Sequence, residues 1–175
     1  MRPLLRKVAR GVAFIVIVLF LAWLGRAYWV TVLYEAALPE ELETVGFARA
    51  GSDWSVASLV TRSETCGAAV FQLSDLTQKR INDEGIEFFS TALEARGVDT
   101  LRFEAWRETP VPREWLGDGT MAAALHCADF VPIGLVANAS TVGRVGGYYT
   151  TSGPTHLVVM PGSGLILLTV LEAGR

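Results

Sequence analysis

Between Gly11 and Gly25 the chain reads GVAFIVIVLFLAWLG, fifteen residues without a charge, and Arg2, Arg6, Lys7 and Arg10 stand just before it. A helix of this composition is apolar on every side, so it belongs in a protein core, in a bilayer or in a signal peptide. After Arg26 the sequence resumes as AYWVTVLY to Tyr34. Taken as one helix, residues 11–34 would be about 36 Å long, enough to cross a ~30 Å hydrocarbon core with Arg26 snorkelling to the far interface. Trp23, Tyr28, Trp29 and Tyr34 gather at that same end, and amphipathic rings prefer the headgroup level. Arg26, Trp23, Tyr28 and Trp29 are therefore read as the membrane-interface residues of a span.

A cleaved secretory signal is the competing reading, but Gly25-Arg26-Ala27 and Glu35-Ala36-Ala37 fit an A-x-A cleavage pattern poorly. No cysteine follows the apolar run as a lipoprotein would require. Four cations before the span against Arg26 alone after it orient the N-terminus to the cytoplasm and the rest of the chain outside. Ala9 and Ala13 offer one small-residue pair at four-residue spacing for helix docking. A plain tether explains the helix without it.

Residues 1–37 are thus read as a basic tail and signal-anchor helix, and residues 38–175 as one extracytoplasmic domain of ordinary single-domain size. From Ala36 onward 17 acidic residues face 10 basic ones, net −7. Such a domain has no electrostatic footprint for nucleic acid or anionic lipid. The chain holds 13 Arg against 2 Lys, and 21 Ala, a bias common in GC-rich bacterial genomes. The expected location is then the inner membrane with a periplasmic domain.

Within the domain, Leu38-Pro39-Glu40-Glu41 ends the anchor, because proline disfavours helical geometry in the residue before it. Strands are expected at residues 54–61 and 67–73, the second (GAAVFQL) so continuously apolar that both its faces should be buried. Ser74 is placed to cap a helix through about Asp83, which Gly85 interrupts. Ile86, Phe89 and Leu93 make one apolar stripe of a second helix that Arg96-Gly97 would stop.

Residues 101–107 (LRFEAWR) alternate as a strand with Leu101, Phe103 and Ala105 on one face, closed by Thr109-Pro110-Val111-Pro112. Residues 120–128 read as an Ala-rich helix and 132–141 as a helix or a strand. Finally Tyr148 to Thr151, His156 to Met160 and Leu165 to Leu171, with the turn Pro161-Gly162-Ser163-Gly164, predict a three-stranded meander ending in a hairpin. The fold class is α+β: a single N-terminal transmembrane helix followed by a small antiparallel sheet covered by two or three helices.

Cys66 and Cys127 are the only cysteines, and an even count outside the cytoplasm points to a disulfide, with buried free thiols or a redox pair as alternatives. His126 and Asp129 beside Cys127 suggest a nucleophile only on paper, since neighbouring helical side chains diverge by ~100°. The two cysteines with His126 and His156 have no zinc-finger or ribbon spacing. Gly117-Asp118-Gly119-Thr120-Met121-Ala122 has the letters of a dinucleotide fingerprint but no βαβ context, and helix capping by Asp118 or Thr120 is simpler. Gly162-Ser163-Gly164 lacks the outer spacing of a nucleophile elbow, and Asn138-Ala139-Ser140 is a sequon in form alone.

Trp106, Trp115, Tyr148 and Tyr149 are the candidate ligand or partner surface, with a core role as the alternative. No catalytic residue, metal or cofactor is expected. The function read from the sequence is a membrane-anchored, non-enzymatic accessory protein that binds another membrane or periplasmic protein. The alternatives are a ligand-binding or sensory domain with a pocket between helices and sheet and, last in rank, an enzyme built on His126 and Cys127.

Overall fold

The computed structural model describes residues 2–52, 66–116, 119–127 and 146–171 and separates into two compact units, Met1–Leu33 and Tyr34–Arg175. The first unit is helical. Helix α1 runs Arg2–Ala36, so its last three residues fall in the second unit. The large apolar side chains from Val12 to Leu24 are all exposed, from 43% at Leu24 to 68% at Phe14. Among the described residues no helix is long and apolar enough to cross a membrane. The described side chains of α1 form no unbroken run longer than residues 11–25, whereas the expected span over 11–34 also takes in Arg26 and Trp29.

The second unit is α+β, a six-stranded antiparallel sheet with a few helices. Its strands are β1 (Thr44–Ser52), β2 (Cys66–Leu73), β3 (Arg107–Glu108), β4 (Tyr148–Ser152), β5 (Thr155–Met160) and β6 (Leu165–Leu171), ordered β1-β2-β6-β5-β4-β3. The meander β4-β5-β6 forms as its sequence predicts. Met160 pairs with Leu165 at the hairpin end, Pro161–Ser163 makes a 3-10 turn, and Gly164 closes it at φ 65°, a left-handed conformation suited to glycine. Strand β2 then pairs with β6, carrying the sheet past the meander.

Alternation along the strands gives the sheet two buried faces. Ala69, Phe71 and Leu73 of β2, Leu157 and Val159 of β5, and Ile166 and Leu168 of β6 share one core with Leu38, Leu42, Ile81, Phe89 and Trp106. The intervening Ala68, Val70, Val158 and Leu167 pack on the other face with Trp115, Met121, Leu125 and Tyr149. This is why the strands read as apolar runs rather than as a clean alternation. The sheet is covered on both sides, not packed under helices on one.

On the first face lies α2 (Asp75–Glu84), whose Ser74 cap accepts from the Thr77 amide at 3.1 Å. Gly85 ends it at φ 64°. On the second face lies α3 (Thr120–Cys127), a short helix placed close to where the sequence predicts one.

Four expectations change. The helix foreseen from Ile86 to Arg96 is only a 3-10 segment, Gly85–Ser90. It buries Phe88 and Phe89 together, while Leu93 is 36% exposed. Arg96 caps no helix: its guanidinium donates to the carbonyls of Pro39 (3.1 Å) and Leu42 (2.7 Å) and lies 3.5 Å from Glu35, fixing the end of α1 to the segment after it.

The strand expected over 101–107 shrinks to an isolated bridge at Arg102 and the two-residue β3. Its inward residues are Phe103 and Trp106, three apart, while Ala105 points to solvent. Strand β1 had no counterpart in the sequence reading. Its register shifts twice, between Thr44 and Gly46 and between Phe47 and Arg49, and such bulges erase the two-residue period. The expected strand at 54–61 and the helix or strand at 132–141 lie outside the described residues.

Candidate functional site

The interface residues of α1 come first. Trp23 and Tyr28 are 62% and 69% exposed, and Trp23 stacks on Phe20 one turn earlier, with ring centroids 6.2 Å apart. The side chains of Arg26 and Trp29 lie outside the described residues. Exposed rings near the end of an exposed apolar sleeve suit a lipid–water boundary.

The four aromatics read as a binding surface do not come together. Trp106 and Tyr148 belong to the first core and Trp115 and Tyr149 to the second, on opposite faces of the sheet. Trp106 stacks on Phe89 at 4.3 Å, Tyr148 lies 4.8 Å from the same ring, and the Trp106 indole donates to the Ala92 carbonyl at 2.7 Å. That indole is 8% exposed, and its one polar atom is satisfied. The three rings pack on one another over the first face of the sheet.

The second face differs in chemistry. The Trp115 ring meets Tyr149 edge to face at 5.2 Å and His156 at 4.3 Å. His156 pairs in register with Thr151 on one side and Thr169 on the other, and Thr169 with Ala68. A short polar row thus runs between the apolar residues of this face. His156 is 8% and Thr169 1% exposed, and among the described residues His156 Nδ1 and Thr169 Oγ1 meet no hydrogen-bond partner. Leaving a buried polar group unpaired costs about 1–3 kcal/mol.

Burial lowers the His156 pKa below the usual histidine value. A buried imidazolium without a counter-ion costs several kcal/mol, whereas an aromatic ring beside a desolvated cation returns about 2 kcal/mol or more. The neutral ring therefore wins at neutral pH. The sequence reading noticed His156 only as a remote zinc candidate. The available signal was its place in HLVVM, two residues before Val158, on the strand face that Thr169 shares two residues after Leu167.

The remaining motifs find local explanations. Gly119 lies where an added Cβ would collide with the Glu114 carbonyl oxygen, so close packing of the turn Arg113–Trp115 accounts for that glycine of the G-x-G-x-x-A letters. Gly117 and Asp118 are outside the described residues. Ser163 donates to the Met160 carbonyl at 3.2 Å inside the hairpin turn.

Cys66 opens β2 at 8% exposure, with its Sγ 3.8 Å from the carbonyl oxygen of Ala123, one helical turn before Cys127 on α3. No free cysteine is found among the described residues. The side chains of His126 and Cys127, like Asp129 and the Asn138 sequon, are outside the description. Among the described residues no three His, Cys, Asp or Glu side chains gather as a metal site would need. Comparison with protein-family models, with curated proteins and with solved structures returns no match.

Proposed function

We propose that this chain is a single-pass membrane protein whose domain acts outside the cytoplasm as a non-enzymatic interaction module. The observation that carries the tether is the sleeve on α1: from Val12 to Leu24 its large apolar side chains are exposed on every side of a 35-residue helix. Contiguous apolar surface on that scale needs a lipid or protein cover, and the charge-free sequence on all helical faces favours lipid. The four N-terminal cations orient the helix with its start in the cytoplasm. The aromatics first considered as a ligand wall are spent on packing, which favours a partner-binding outer surface over an internal pocket. An acidic domain of net −7 suits a basic protein partner.

The same placement puts Cys66 and Cys127 in an oxidising compartment, where a bridge would staple α3 to β2 and stabilise the domain by about 4 kcal/mol on the loop-entropy model. The Cys66 Sγ resting against α3 near Ala123 supports that pairing. Alkylation of denatured protein with and without reductant reads it directly: two thiols must appear only after reduction.

The tether is tested by alkaline extraction of membranes and protease accessibility in oriented vesicles. Retention in the alkaline pellet, with the domain cut only from the outer side, is the expected result. Release into the supernatant, or a mature form beginning between Gly25 and Ala37, removes the tether. Purification in mild detergent with identification of stoichiometric co-purifying proteins tests the interaction module.

A further inference from the structure

We propose that His156 is an acid-operated latch: when its imidazole takes up a proton, the Trp115 turn lifts from the sheet face it covers. The imidazole sits in a cross-strand row with Thr151 and Thr169, edge to face with the Trp115 ring at 4.3 Å, and among the described residues its Nδ1 is unpartnered. Among the described residues no acidic side chain is set against it, and Arg107 of β3, in register with Tyr149 on this face, is exposed. Strands β2, β4, β5 and β6 contain no Asp, Glu, Lys or Arg, and Arg113 and Glu114 beside Trp115 are exposed. On α3, which packs on this face through Met121 and Leu125, the titratable residues are His126 and Cys127.

A proton on His156 is therefore stabilised only where water reaches the ring, and water reaches it when the cover opens. The cover over the ring is slight, the three-residue 3-10 turn Arg113–Trp115, so local opening there should need less than global unfolding. The opposite face carries no histidine and no unpartnered buried side-chain polar atom among the described residues, so it should stay closed. A response to the pH of the surroundings rests on the extracytoplasmic placement proposed above, whereas the latch itself does not.

The test is amide hydrogen exchange of the full chain in lipid nanodiscs between pH 7.5 and 5.0, corrected for intrinsic rates. Opening of residues 113–116 should rise by up to about tenfold per pH unit below about 6.5, while residues 85–106 stay flat. His156→Gln should abolish the rise and His126→Gln should keep it. A wild-type chain with no rise, a rise that survives in His156→Gln, or one that disappears in His126→Gln overturns the latch. Should His156→Gln not fold, NMR of the wild-type imidazole decides: its protonation midpoint must coincide with that of opening, and a separate midpoint rejects the proposal. Failure of the oriented-vesicle experiment alone would remove the external signal and leave the latch standing.

Discussion

The two faces of the sheet are built from the same strands yet close in different ways. On the first, buried polar groups are matched: the Trp106 indole donates to the Ala92 carbonyl at 2.7 Å and the Thr150 hydroxyl to the Glu104 carbonyl at 2.7 Å. On the second, His156 Nδ1 and Thr169 Oγ1 are buried without partners among the described residues. Apolar burial can fill both faces equally well, but only hydrogen bonding fixes one arrangement of the cover. The first face is thus held by hydrogen bonds as well as by packing, whereas the proposed latch sits on a face held by packing.

The largest expected effect tests the rigid side. Phe89 is 1% exposed and touches Phe88, Trp106 and Tyr148. Phe89→Ala should lower stability by about 3–5 kcal/mol in urea unfolding of the full chain in nanodiscs. A loss below ~1 kcal/mol would mean that this aromatic cluster is not the core it resembles. Next, Trp106→Phe strands the Ala92 carbonyl and should cost about 1–3 kcal/mol. A neutral result would erase the contrast in polar matching.

Acid should act through the second face. With its pKa lowered by burial, His156 favours the folded chain while neutral. Its contribution is intact above the unfolded pKa of about 6.5 and declines as pH falls, by up to about 1.4 kcal/mol per unit. Unfolding measured between pH 7 and 5.5, above most carboxylate titration, should show that slope in the wild type and lose it in His156→Gln. The smallest pair sharpens the comparison most. Thr150→Val should cost about 1 kcal/mol, whereas Thr169→Val, which deletes an unpartnered hydroxyl at nearly constant volume, should be neutral or stabilising. Equal losses at the two positions would show that the faces do not differ.

What could be read from the chain follows the range of the interaction. The Ser74 cap, the break at Gly85, the apolar β2 and the Gly164 turn each depend on residues within a few positions of one another. The stretch from Ile86 to Arg96 was misread because its stripe suits a helix, while Arg96 is drawn to carbonyls more than fifty residues back. Trp106 and Tyr148 were legible as aromatics that must be buried or bound, but not as partners of one ring, since Phe89 reaches them only after the sheet has formed.

By itself the sequence determined the charge-free helix, its flanking cations, the meander and the pairing options of two cysteines, because periodicity, charge and turn chemistry are properties of short windows. Only the tertiary structure decided that β2 extends the meander past β6, that the sheet has two cores, and that His156 meets Thr169 at its side and Trp115 on its ring. Those outcomes depend on strand register, which joins residues far apart in the chain and leaves no local trace.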